Sequence, residues 1–105
     1  MIRSKRQAVT INTNGEQLYN MVTGQAGVKR RITEIWVEQA DDVIYRAYID
    51  TDRIVDVHGE CDVLTTLAIP VDHVLKEGEV FSMGILDEAG GDTTLDMVVF
   101  YEETL

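Results

Sequence analysis

The chain has one cysteine, one proline and nine basic residues among its 105, and each scarcity excludes something. A lone Cys61 rules out an intramolecular disulfide and leaves a thiolate zinc site without its ligand set. One free thiol fits synthesis in a reducing compartment. A single proline, Pro70, leaves most of the chain free to form regular ladders. No uninterrupted apolar run is longer than a strand, so none approaches the ~20 residues of a membrane-spanning helix. The opening "MIRSKRQAVTINTNG" is basic, but no apolar stretch of secretory-leader length follows it. Bases are too few for a nucleic-acid partner: the net charge is −10, whereas phosphate binding needs a basic footprint.

What is present is apolar patterning. Hydrophobic residues make up 45% of the chain, which argues against disorder despite the charge. At this length one domain with a modest core is expected, and partner subunits would add to its stability. The charge is unevenly placed. Residues 1–31 hold six bases against one acid (+5), and residues 32–105 hold three bases against eighteen acids (−15). Arg3, Lys5 and Arg6 precede the first apolar alternation, so residues 1–6 are expected to form a basic arm outside a domain of residues 7–105. The plainer reading of the split is that the basic and acidic stretches are neighbours in one fold and neutralise each other. The sharper one is that such an arm reaches the acidic body of a neighbour or of a larger shell, with DNA or another acidic surface a third option.

Alternation with a period of two dominates, which signals strands. In "VIYRAYID" from Val43, residues Val43, Tyr45, Ala47 and Ile49 share a face. In "TLDMVVFYEE", Leu95, Met97, Val99 and Tyr101 share one face, with Val98 and Phe100 behind them. Eight strands are expected, near 7–12, 16–22, 28–39, 43–50, 53–57, 62–69, 79–87 and 94–102. Segment 16–22 has a competing helical reading, because Leu18, Met21 and Val22 fit i, i+3, i+4. Turn signals separate the strands, among them "NTNG", "TGQAG", "QADD", "HGE", "KEGE" and "DEAGGD". The expected fold is all-β: an eight-stranded antiparallel sandwich, a jelly roll before an immunoglobulin-like one. The last strand is apolar on both faces, "MVVF", and so either lies mid-sheet under a cover or faces a neighbouring subunit.

The pattern running from "RITEIWVEQADDVIYRAYID" through "IPVDHVLKEGEVFSMGI" to "DTTLDMVVFYEE" resembles the small single jelly-roll structural proteins of viruses and phages, the decoration, cement and minor capsid subunits. The resemblance implies assembly without catalysis. This chain departs from many virion jelly rolls in being nearly loopless.

Candidate chemistry is sparse. His58, Cys61 and His73 match no standard zinc spacing. Asp50, Asp52 and Asp56 have a hard-cation composition but lack the glycine and closing glutamate of a calcium loop; solvated loop tips are the plainer reading. "VDHVLKEGE" reads as a corner, with Pro70 at a strand end or edge and Gly78 relieving the turn. Ser4 and Ser82, the only serines, have no nucleophile context. Trp36, with Tyr19, Tyr45 and Tyr48, raises sugar stacking. By parity Trp36 shares the face of Ile32, opposite Ile35 and Val37, and so is either an interface residue or an exposed platform.

The sequence therefore predicts a non-enzymatic virion protein without cofactor, made in the host cytoplasm. It would form a homo-oligomer, trimer favoured, and bind other virion structural proteins, with no nucleic-acid or membrane partner. Arg3, Lys5, Arg6, Trp36, Met97, Val98 and Phe100 are the expected interface residues. The rival reading is a carbohydrate- or receptor-binding sandwich.

Overall fold

The computed structural model describes residues 1–11, 15–38, 43–58, 66–87 and 93–105. Eight strands run β1 Ile2–Ile11, β2 Gly15–Thr23, β3 Lys29–Glu38, β4 Val43–Ile49, β5 Asp52–His58, β6 Thr66–Leu75, β7 Val80–Asp87 and β8 Thr93–Thr104. They form two four-stranded sheets, β1-β8-β3-β6 (sheet I) and β2-β7-β4-β5 (sheet II). Every pairing is antiparallel.

The pairings β1–β8, β2–β7, β3–β6 and β4–β5 are nested like the two arms of one long hairpin. Rolled up, that hairpin sends successive strands to alternate sheets, except across β4–β5. This is the jelly-roll connectivity, and it sets the immunoglobulin-like alternative aside. β8 lies inside sheet I between β1 and β3, as its two apolar faces require.

The core is the layer between the sheets. Val9, Ile32, Ile35, Val37, Tyr45, Phe81, Met83, Ile85, Met97 and Val99 are almost wholly removed from water. Tyr45 carries the one hydroxyl in that set, and it donates to the backbone carbonyl of Glu38. Burial, and secondarily the Glu38 charge, push its phenol well above the usual tyrosine range.

Four readings are corrected. First, residues 2–6 are no arm: Ile2 to Arg6 pair in register with Glu102 to Val98. Their polar side chains hid a strand whose end is wet on both faces. Second, segment 16–22 is the strand first expected, and its competing helical reading falls to a bulge. Asn20 faces Ser82 and Val22 faces Phe81, leaving Met21 as the extra residue. The bulge turns both Met21 and Val22 inward, which mimics helical spacing.

Third, β6 continues past Pro70 to Leu75. Pro70 is tolerated because β6 is an edge strand, and the corner shrinks to residues 76–79 with Gly78 at φ +84°. The proposed start of this strand at 62–65 lies outside the described residues. So do the turns at 12–14, 39–42, 59–60 and 88–92. Fourth, Ile32 and Trp36 do not share a face. β3 bulges at Thr33 against β8, so Ile32, Ile35 and Val37 all point inward and Trp36 points out. The Thr33 hydroxyl donates to the Phe100 carbonyl across the bulge at 3.1 Å.

Candidate functional site

The outer face of sheet I carries the clearest unmatched surface. Trp36 on β3 faces Val98 on β8 and Ala68 on β6, and Glu34 faces Phe100 and Pro70. These five apolar residues form one patch. The Trp36 ring lies 5.2 Å from that of Phe100, tilted by 58°, a favourable aromatic geometry. Its Nε1 donates to Glu34 Oε1 at 2.7 Å, yet Trp36 remains 43% exposed. Arg6, Glu34, Glu38 and Asp96 rim the patch. Arg6 lies 3.5 Å from Asp96, and Glu38 Oε1 accepts from the Asp96 N–H at 3.0 Å.

Of the expected interface residues, Trp36, Val98, Phe100 and Arg6 share this face. Met97 does not: it is fully buried in the core, and adjacent strand residues point oppositely. Arg3 and Lys5 have the parity of the inner face, at an end of β1 that sheet II leaves exposed. There Arg3 and Arg30 both bind Glu103, at 2.9 and 3.0 Å. Sequence reading missed this triad because its members come from three strands, joined only by the β1–β8–β3 register.

Sheet II's outer face differs. Its centre is filled by an internal polar network: Arg46 lies 3.7 Å from Glu16 and 3.6 Å from Asp56, and Tyr48 donates to Glu16 at 2.8 Å. The Arg46 Nε is buried without a hydrogen-bond partner. Leu18 stands exposed beside this network.

Two of the three aspartates read as a cation composition are committed elsewhere. Asp50, at φ +53°, turns the β4–β5 hairpin and accepts the Val80 N–H on Oδ1 at 3.0 Å. Asp56 pairs with Arg46 and Arg53. Asp52 is exposed. Among the described residues no group of three or more His, Cys, Asp or Glu is placed to hold a metal ion. The His58 side chain and Cys61 lie outside them. His73 Nε2 sits 3.3 Å from Glu79 Oε1, which also accepts the Lys76 N–H at 2.7 Å. Ser82 donates to Asn20. No helix of the described residues is long and apolar enough to cross a membrane.

Three carboxyls sit below their usual range. Glu103 is lowered first by its hydrogen bond from Arg30, Glu79 by the backbone N–H of Lys76, and Asp72 by Arg31. Depressed folded-state values mean stability that is present above the unfolded pKa, about 3.9–4.3, and lost as pH falls through the folded values. Relief of the overall negative charge acts in the opposite direction. Glu103→Gln should therefore melt below wild type at pH 7 and converge with it near pH 2. Thermal melts of both across that range test the sign.

No protein-family model matches the chain, and no curated protein matches its sequence. A chain in the acid-stable capsid structure of the Helicobacter pylori bacteriophage KHP30 matches in fold, at TM-score 0.64 and 10% identity, over 99% of this chain and 93% of that one. The nucleoplasmin-like N-terminal domain of Drosophila FKBP39 matches at TM-score 0.46 and 10% identity, over 97% and 91%. The likeness to the capsid chain is one of fold. At that level the resemblance to small jelly-roll virion proteins holds.

Proposed function

We propose that this chain is a non-enzymatic structural subunit of a virion, a decoration, cement or minor capsid protein. It self-associates through the outer face of sheet I and attaches to a larger shell. It is made in the host cytoplasm and resides in the particle. The observation that carries this reading is the patch of Trp36, Ala68, Pro70, Val98 and Phe100 on the outside of the jelly roll. A stable subunit has no need to leave a tryptophan 43% exposed on an otherwise complete sandwich, whereas a buried contact uses one well. The fold shared with a phage capsid chain over almost its whole length supports the same reading.

The carbohydrate alternative loses the aromatic platform it needed. Tyr45 is core, Tyr48 lies on the other sheet, and Tyr19 packs against the core, so Trp36 has only Phe100 beside it. No cofactor is expected.

Light scattering at tens of micromolar tests self-association. A trimer would have about three times the 11.8 kDa protomer mass, and Trp36→Glu should reduce it to the protomer. A wild-type protein that stays at the protomer mass, with Trp36→Glu indistinguishable from it, overturns the self-association.

A further inference from the structure

We propose that the free edge of β1 at Ile2–Arg6 is a strand-acceptor site for an extended acidic segment of another protein. The backbone register makes the case. Met1 and Glu103 exchange both backbone hydrogen bonds, and β1 continues from there without a break. Hydrogen-bonded and non-hydrogen-bonded pairs alternate along an antiparallel ladder. Arg3, Lys5, Gln7 and Val9 therefore turn their N–H and C=O groups toward β8. Ile2, Ser4, Arg6, Ala8 and Thr10 turn theirs away from the sheet.

The far half of that edge is already capped. The Gln7 side-chain amide donates to the Ala8 carbonyl, and Gln17 donates to the Thr10 carbonyl, each at 3.0 Å. The near half, Ile2–Arg6, is exposed, and among the described residues nothing caps its carbonyls.

The other three edges are blunted. β2 bulges at Met21, β5 at Ile54, and β6 carries Pro70 and a bulge opposite Thr33. Such devices prevent strand addition. β1 has neither bulge nor proline in its ten residues.

The occupant follows from charge. Lys5 and Arg3, the latter shared with Glu103, flank the open edge on one face, and Arg6, 3.5 Å from Asp96 but 68% exposed, flanks it on the other. A second copy is disfavoured: antiparallel self-pairing about Ser4 would set Arg3 of one strand against Lys5 of the other, and like charges directly opposite repel. An incoming strand with carboxylates at alternate positions meets basic side chains on whichever face they fall. Main-chain hydrogen bonds to Ile2, Ser4 and Arg6 would hold it, as in other strand-addition complexes. This site adjoins the sheet I patch, since Ser4 faces Phe100 and Arg6 faces Val98, but it uses the backbone edge of β1 and does not depend on the virion reading.

The probe is a short capped peptide of alternating threonine and glutamate. On its addition, amide hydrogen exchange at Ser4 and Arg6 should slow by about tenfold or more, while Arg3 and Lys5, already bonded to β8, change little. A threonine–lysine peptide should give no protection. Ser4→Pro removes an outward N–H and no β1–β8 hydrogen bond, though it also fixes φ at about −65°, and should weaken the glutamate peptide by about tenfold, the worth of roughly one hydrogen bond; Ser4→Ala should not. If Ser4→Pro fails to fold, Arg6→Glu replaces it and should weaken the glutamate peptide. The proposal is overturned if the glutamate peptide fails to protect these amides, if the lysine peptide binds as well, if protection falls on β2, β5 or β6, or if the blocking variant binds like wild type.

Discussion

Gly84→Ala should cost about 3 kcal/mol, the upper part of the usual range for overpacking, and lower the thermal midpoint by roughly 12 °C for a domain of this size. Gly84 lies in β7 and faces Leu18 on β2 and Arg46 on β4. A Cβ added there would sit 1.9 Å from the Gln17 carbonyl oxygen and 2.9 Å from the Leu18 Cα. Both are backbone atoms of a paired strand, so no side chain can swing aside. β2 must move as a unit, and the move would also pull Glu16 away from Tyr48 and Arg46, which reach it across β7. Gly27→Ala is the contrasting case. Its Cβ meets nothing within 4 Å, but the backbone has φ +77°, so about 1 kcal/mol of left-handed strain is all it should cost. Chemical denaturation of both variants checks the difference. Equal losses would mean that strand approach at Gly84 is not the limiting contact.

The same close approach shows where sequence reading reached and where it stopped. Alternation in "VIYRAYID" and "TLDMVVFYEE" located β4 and β8 to within a few residues, because a strand with one buried face must repeat every two residues. It failed where a bulge breaks the period. Met21 and Val22 both turn inward, and Thr33 reverses the parity between Ile32 and Ile35. It failed again where neither face is buried: "RSKR" carries no apolar signal, yet its backbone completes the β1–β8 ladder. Long-range pairings have no local signature, so the Arg3–Glu103–Arg30 triad was not legible. Nor was the crowding at Gly84, since the glycine alone does not say which carbonyl lies beside it. The patch was half legible. The apolar run 97–100 announced two covered faces, but only the register with Val9 and Val37 decides which of them is core.

That decision separates two neighbouring residues by function. Met97 is completely buried between the sheets, and Val98 is half-buried on the outer face beside Trp36. Met97→Ala removes packed core volume and should cost about 3 kcal/mol, within the usual range for truncating a buried methionine. In a domain whose whole stability is of order 5–15 kcal/mol, that loss shows as a clear fall in the denaturation midpoint. It should leave the association of the folded fraction unchanged, because no Met97 atom reaches the outer face. Val98→Ala should do the reverse. Its stability loss should stay below about 1 kcal/mol, as for most surface substitutions. Self-association through the sheet I face should weaken, since the truncation opens a gap beneath Trp36 at the centre of the patch, where interface energy concentrates. Denaturation and light scattering on the same two samples give four readings. If Val98→Ala assembles like wild type while Trp36→Glu does not, the contact lies on the β3 side of the patch alone. If both assemble normally, this face is not where the subunits meet.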